Sequence, residues 1–133
     1  MSTDIRWKQR FQNYERSLVD FENSLKQTEY SVLERAGLIQ LFEVSFELAW
    51  KTLKDILYYD GFDVKSPRAA IKQAFANNLI TNGETWLALL EGRNIYAHTY
   101  DKIIAENSVV LIKEQYAPLL LALRDTLRGH LND

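Results

Sequence analysis

The feature that most constrains the fold is a run of apolar residues near the N-terminus that repeats with the period of an α-helix. Successive members are 4, 3, 4, 3 and 4 positions apart, which places them on one face of a helix of about six turns. They are Trp7, Phe11, Tyr14, Leu18, Phe21 and Leu25. A helix of this kind buries its apolar face against other helices, so the pattern predicts a helical bundle.

A second, longer helix is predicted to run from the N-cap Ser31 to Asp60. Ser31 and Glu34 have the spacing of a capping box, in which each side chain bonds a free backbone N–H. Gly61 is suited to end the helix. Its apolar residues cover more than one face, as expected for a helix that is central or covered from a second side by a partner chain.

Two shorter helices are predicted to follow. Ser66 is suited to the N-cap and Pro67 to the first turn of a third helix. Thr81 and Glu84 have the spacing of another capping box, which predicts that a fourth helix begins at Thr81.

The last helical stretch is predicted to begin near Asp101, and Pro118 is expected to kink or divide it around residues 114–117. Strand-like alternation is hard to find anywhere, and no linker interrupts the pattern. The sequence therefore predicts an all-α, up-and-down bundle of four or five helices that forms a single domain over residues 1–133.

Composition excludes several classes of function. The chain has no cysteine, which rules out disulfides, thiolate zinc sites and cysteine nucleophiles. We expect a cytoplasmic protein with no membrane segment, because the N-terminus lacks an apolar signal region and the run Leu119–Leu123 is too short to span a bilayer. The net charge of −2 means that any RNA must bind a local patch, which two chains could build together.

The stretch RNIYAHTY at residues 93–100 concentrates polar side chains at the end of an apolar helix. On a continuous helix Arg93 and His98 would lie about 140° apart and would not converge on one ligand. Asn94 and His98, four positions apart, share a face. Arg93 and His98 could meet if the helix ended between them, or if two copies of the motif faced each other across a two-fold axis.

A symmetric pair of motifs would suit RNA cleavage by 2′-hydroxyl attack, which requires a base, an acid and a phosphate clamp. Two chains supply two motif histidines, and the planar guanidinium of Arg93 matches phosphate oxygens. The alternative is structural, since an Arg and a His near a helix C-terminus commonly bind the last carbonyls.

Glu43, Glu47 and Lys51 form a second polar set, spaced by four on the second helix. They could be a surface ladder of ion pairs, or they could lie beneath the motif and orient Arg93. No convincing metal-ligand set is present, and we expect neither a metal nor a cofactor.

Three segments together resemble the HEPN superfamily, and more narrowly its HepT-like group, also known as nucleotidyltransferase substrate-binding proteins. The segments are GLIQLFEVSFELAWKTLKDIL at 37–57, SPRAAIKQAF at 66–75 and RNIYAHTYD at 93–101. The resemblance runs in order from about residue 10 to about residue 125. Its most specific element is R-x4-H-x-Y downstream of the other two segments.

The resemblance implies a homodimer whose motifs face each other and act on RNA without a metal. By position, the motif residues are Arg93, His98 and the intervening polar Asn94. It also implies a toxin–antitoxin pair, in which a minimal nucleotidyltransferase (MNT) neutralises the toxin by transferring AMP to Tyr100. Glu43 and Glu47 are expected to be supporting residues. Two alternatives remain open: a non-catalytic subunit that presents substrate to a nucleotidyltransferase, and a purely structural dimer.

Overall fold

The computed structural model describes residues 3–93 and 101–132, and within these ranges it contains helices and no strand. The helices are α1 (Thr3–Ser24), α2 (Val32–Tyr59), α3 (Pro67–Ala76), α4 (Gly83–Gly92), α5 (Lys102–Leu111) and α6 (Ala117–His130), with a π-helical turn, Ile112–Tyr116, joining α5 to α6. The predicted all-α fold is confirmed. No helix in the described ranges combines the length and apolar character needed to cross a bilayer.

The long helices α1 and α2 pack against each other and form the main body of the core. The predicted stripe of α1 is buried from Trp7 to Phe21, and Leu25 packs half-buried at its end. Each large apolar side chain buried in this way contributes about 1.5–3 kcal/mol. The Tyr14 hydroxyl donates to the Leu120 carbonyl at 2.5 Å, which fastens α1 to α6.

Helix α2 is the central element of the bundle. The predicted capping box is confirmed: Ser31 Oγ accepts from the Glu34 amide at 3.1 Å, and Glu34 Oε1 accepts from the Ser31 amide at 2.9 Å. Helices α1, α3, α5 and α6 all contact α2. This central position accounts for an apolar surface that covers more than one face.

The start of α3 is as predicted, but the start of α4 is not. Ser66 Oγ accepts from the Ala69 amide, and Pro67 occupies the first turn. The predicted capping box of Thr81 with Glu84 is wrong, because α4 begins at Gly83 and its N-cap is Asn82, which has a positive φ of 56° and no side-chain cap.

The physical reason lies in the backbone at Asn82. A helix capped by Thr81 would need Asn82 as its first helical residue, but Asn82 has left-handed angles of φ 56° and ψ 51°, which a right-handed helix does not accept. The helix therefore starts one residue later, at Gly83. Glu84 is then the second helical residue, one position short of the place that a capping box requires.

The last helical stretch begins next to Asp101, as predicted, and its irregular turn lies at Ile112–Tyr116, overlapping the predicted 114–117 but starting two residues earlier. Asp101 is the N-cap of α5, and its Oδ1 accepts from the amides of Ile103 and Ile104 at 3.0 and 3.1 Å. The π-helical turn falls just before Pro118, where the missing N–H and the proline ring disfavour regular α-helical geometry. Tyr116, the last residue of this turn, is buried in the core.

Candidate functional site

Arg93 lies at the end of α4 and reaches across to the middle of α2. Its Nη1 is 3.4 Å from Oε1 of Glu47. The two side chains are 31% and 35% exposed, so the guanidinium group stays in contact with solvent. In the described part of the chain Glu47 is its ion-pair partner, and this contact uses one of the five N–H donors that a guanidinium group carries.

Glu47 is itself held in place from within α2. The indole Nε1 of Trp50, one turn later, donates to Glu47 Oε2 at 2.9 Å. The two carboxylate oxygens of Glu47 therefore have different partners, with Arg93 on Oε1 and Trp50 on Oε2. An ion pair this exposed contributes only about 0.2–1 kcal/mol to stability, so its main effect is on the orientation of Arg93.

Glu43 lies one turn before Glu47 on the same face of α2. Its Oε2 atom is buried, with no hydrogen-bond partner among the described residues. Burial raises the pKa of Glu43 to about 7, with a further contribution from the negative charge of Glu47, while Arg93 acts in the opposite direction. Near neutral pH the carboxyl group is thus divided between protonated and ionised forms.

Sequence reasoning missed the part of Tyr116 in this site. The Tyr116 ring stacks on Phe42, with centroids 5.5 Å apart and an angle of 18° between the ring planes. A Cβ atom on Gly92 would lie 3.0 Å from the Tyr116 hydroxyl oxygen, so only glycine fits here without movement of the ring. Gly92, immediately before the motif, was the available signal for such a close approach.

A second boundary of the site comes from α3. The first residues of α3 and the last of α4 line an open cavity of about 250 Å³. Its lining residues are Ser66, Pro67, Arg68, Leu90, Glu91 and Arg93. The side chains of Arg68 and Glu91 form an ion pair that fastens the two helices together. The segment SPR, singled out in the sequence, therefore lies beside Arg93.

Of the predicted site residues, the structure brings together Arg93, Glu43 and Glu47. Asn94, His98 and Tyr100 lie outside the described residues. Within residues 3–93 and 101–132, no three or more His, Cys, Asp or Glu side chains are grouped so that they could hold a metal ion.

Comparison with known proteins decides the family. The sequence model of the family described as "Nucleotidyltransferase substrate binding protein like" matches residues 9–129. The chain belongs to this family. The resemblance inferred from the three sequence segments is therefore confirmed.

Among curated proteins, this member of the nucleotidyltransferase substrate-binding-like family is similar to the "Probable ribonuclease HepT" of Haemophilus influenzae, with 35% identity over 72 residues. The aligned part is 50% of this chain and 49% of that protein. The chain thus spans about half the length of the curated relative that it matches.

Two solved structures share the fold. A crystal structure of a protein from Thermus thermophilus has a TM-score of 0.76 and 25% identity, and covers 90% of this chain and 99% of its own. HI0074 of Haemophilus influenzae, reported to reveal the fold of a substrate-binding domain of a nucleotidyltransferase, has a TM-score of 0.60 and 26% identity, with 92% and 99% covered. These matches place the chain in the helical fold of that family.

Proposed function

We propose that this protein is the toxin of a toxin–antitoxin pair: a homodimeric, metal-independent endoribonuclease that a partner nucleotidyltransferase neutralises. The observation that carries the proposal is the Arg93 guanidinium, oriented by Glu47 and open to solvent beside a cavity. The similarity to a protein named as a probable ribonuclease supports the same activity.

Arg93 is assigned the role of phosphate clamp. Glu47 contacts one terminal nitrogen at 3.4 Å, which is long for a charge-assisted hydrogen bond, so a stronger ligand can compete with it for the guanidinium. A phosphate that carries full negative charge would compete well for the planar donor edge of the guanidinium. Oriented in advance, Arg93 would stabilise the charge that develops on the phosphate in the transition state.

His98 and Asn94 are assigned the remaining roles within a shared dimeric centre. One His98 removes the proton from the RNA 2′-hydroxyl, whose oxygen attacks the adjacent phosphorus. The bond to the 5′-oxygen breaks, and that oxygen takes a proton from the second His98, leaving a 2′,3′-cyclic phosphate. Asn94 positions either the substrate or the opposing arginine.

Tyr100 is assigned as the site of inhibition. Its hydroxyl oxygen attacks the α-phosphorus of ATP on the partner enzyme and releases its proton to solvent, the bond to pyrophosphate breaks, and AMP becomes attached to Tyr100. A phosphodiester and a nucleoside two residues from His98 add negative charge and bulk where RNA phosphates must bind. The family's description as nucleotidyltransferase-associated supports a partner of this kind.

That same description favours a second candidate function. As a non-catalytic subunit, the chain would present a substrate to its nucleotidyltransferase, as the family description and the description of HI0074 imply for substrate-binding proteins. The Arg93 cavity would then hold an anionic group of that substrate. No RNA cleavage would follow, and the partner's activity would depend on this chain.

The test uses purified protein and single-stranded RNA in EDTA. We expect cleavage products that end in a 2′,3′-cyclic phosphate, and loss of cleavage in Arg93→Ala and in His98→Ala. The matched control is Arg16→Ala, which removes an exposed arginine of α1 and should cleave normally. Absence of cleavage by the unmodified protein, together with a partner enzyme that requires this chain, would establish the second candidate instead.

The modification has a separate readout. After incubation with partner and ATP, the mass of the protein should rise by one or more AMP units, and Tyr100→Phe should show no increase. An unmodified mass in the unaltered protein would refute this part of the proposal while leaving the ribonuclease assignment standing.

A further inference from the structure

A second, larger polar cavity lies where the start of α1 meets the end of α2. Its volume is about 430 Å³. It is lined by residues of both helices and of the segment that leads to α3: Arg6, Arg10, Lys54, Asp55, Tyr58, Asp63, Val64 and Lys65. We refer to it as the basic cavity. None of its lining residues belongs to the Arg93 site.

The charges of the basic cavity do not cancel. Its two carboxylates each have a cationic partner: Arg10 Nε lies 3.0 Å from Asp55 Oδ2, and Lys65 Nζ lies 2.9 Å from Asp63 Oδ2. Two further cations, Arg6 and Lys54, have no ion-pair partner within the described ranges. The cavity therefore carries local positive charge on a protein whose net charge is −2.

Part of this cavity is rigid. The Asp55 side chain is only 8% exposed, and its bond to Arg10 joins α2 to α1. Removing Arg10 would leave the Asp55 carboxylate unpaired in a largely desolvated position, whereas the Arg10 side chain is 34% exposed. The Arg10–Asp55 pair thus forms one side of the cavity, beside Arg6 and Lys54.

An exposed aromatic ring lines the same cavity. Tyr58 is 50% exposed at the last turn of α2, and its neighbours Tyr59 and Phe62 are also exposed. A half-exposed ring beside unpaired cations is the combination that single-stranded nucleic acids recognise, because bases stack on the ring while phosphates contact the cations. An acidic protein partner would also bind the cations of this cavity, but it has no bases that would stack on the exposed Tyr58 ring.

The basic cavity is aligned with the Arg93 site. Glu47, Lys51, Lys54 and Tyr58 are spaced 4, 3 and 4 residues apart on α2, so they lie along one face. From Glu47 the axial distance is about 10 Å to Lys54 and about 16 Å to Tyr58. At about 3.4 Å per stacked nucleotide, this corresponds to roughly three to five nucleotides.

From these observations we propose that the basic cavity binds the RNA strand a few nucleotides from the bond that is cut. Arg6 and Lys54 contact its phosphates, and Tyr58 stacks on one base. This inference rests on the proposed ribonuclease function and extends it, because it provides the local patch that an acidic protein needs to hold RNA.

The experiment measures affinity for a fluorescent single-stranded RNA whose 2′-hydroxyls are methylated, so that binding is read without cleavage. Fluorescence anisotropy is recorded over a range of salt concentrations for the unaltered protein and three variants. These are Arg6→Glu/Lys54→Glu, Tyr58→Ala, and the control Lys26→Glu, which reverses an exposed charge just after the C-terminal end of α1. Thermal melts followed by circular dichroism confirm that each variant is folded.

We expect the double charge reversal to weaken binding at least tenfold and to reduce the slope of log affinity against log salt by about 1.4, since two phosphate contacts to a single strand are lost at about 0.7 each. Tyr58→Ala should weaken binding by about 5- to 100-fold, and Lys26→Glu by less than twofold. If the charge reversal unfolds the protein, the milder variant Arg6→Gln/Lys54→Gln replaces it. This variant should weaken RNA binding by an intermediate amount.

The outcomes separate this inference from the proposed function. Cleavage in EDTA with unchanged affinity in the Arg6/Lys54 variants would overturn the basic-cavity proposal alone. Affinity that depends on Arg6 and Lys54 without any cleavage would support the cavity and refute the ribonuclease. Loss of nucleotidyltransferase binding in these variants, with RNA affinity unchanged, would overturn the proposal and assign the cavity to the protein partner.

Discussion

Replacement of Glu43 by glutamine tests the electrostatics of the Arg93 site. Glutamine keeps the shape of the side chain but cannot ionise. Burial and the charge of Glu47 raise the pKa of Glu43 from 4.5 to about 7. The pKa of Glu43 is higher in the folded state than in the unfolded state. Its contribution to the free energy of unfolding is therefore fully present below pH 4.5 and is lost as pH rises through 7.

The size of the effect follows from that difference. Each tenfold change in proton affinity corresponds to about 1.36 kcal/mol, so the full difference would give about 3.4 kcal/mol. One oxygen of Glu43 is buried, but the side chain as a whole is only partly so, and solvent screening lowers the expected value to about 1 kcal/mol. The unaltered protein should therefore lose about 1 kcal/mol relative to Glu43→Gln between pH 5 and pH 8.

Urea unfolding followed by circular dichroism at several pH values from 5 to 8 measures this difference directly. The curves of the two proteins should be close at pH 5 and separate as pH rises, with Glu43→Gln the more stable at pH 8. Glu114→Gln, at an exposed position of the π-helical turn, is the control and should follow the unaltered protein. Parallel pH profiles for Glu43→Gln and the unaltered protein would refute the reasoning.

Four further predictions concern the site and the core. Arg93→Ala should abolish growth arrest at equal expression, while its free energy of unfolding stays within about 1 kcal/mol of that of the unaltered protein. A variant that remains toxic would show that Arg93 does not bind the RNA phosphate during cleavage. Glu47→Gln should slow RNA cleavage several-fold without unfolding the protein, and unchanged kinetics would show that the ion pair orients nothing. Gly92→Ala should lower the free energy of unfolding by about 1 kcal/mol, because the added methyl group crowds the hydroxyl of Tyr116. In a double-mutant cycle, the same change should cost less when Tyr116→Phe has removed that hydroxyl. Tyr14→Phe should lower the free energy of unfolding by about 1–2 kcal/mol, because a buried hydrogen bond is lost; an unchanged urea midpoint would contradict this.

Local signals in the sequence were sufficient for most of the fold. The stripe from Trp7 to Phe21 and the caps at Ser31 and Ser66 depend on neighbours within one helix, so periodicity and capping chemistry identified them. The start of α4 was misplaced because it depends on the left-handed backbone of Asn82, which the spacing of Thr81 and Glu84 does not reveal.

The candidate site was harder to predict from the sequence, because its contacts join residues of different helices. Spacing showed that Glu43 and Glu47 share a face, but left open whether they face solvent or Arg93, and the structure places Glu47 at 3.4 Å from its guanidinium. The contact between Gly92 and Tyr116 joins positions 24 residues apart through a π-helical turn. Gly92 signals that some group approaches the backbone closely, but no local pattern identifies Tyr116 as that group.

The central claim is that two subunits share one catalytic centre, and a subunit-mixing experiment tests it most directly. Unaltered protein is equilibrated with a ninefold excess of Arg93→Ala/His98→Ala protein, and RNA cleavage in EDTA is measured per unaltered subunit. If the centre requires both copies, random pairing leaves about one tenth of the unaltered subunits in active dimers, and activity per subunit should fall to about one tenth. Activity per unaltered subunit that stays constant on mixing would contradict the claim.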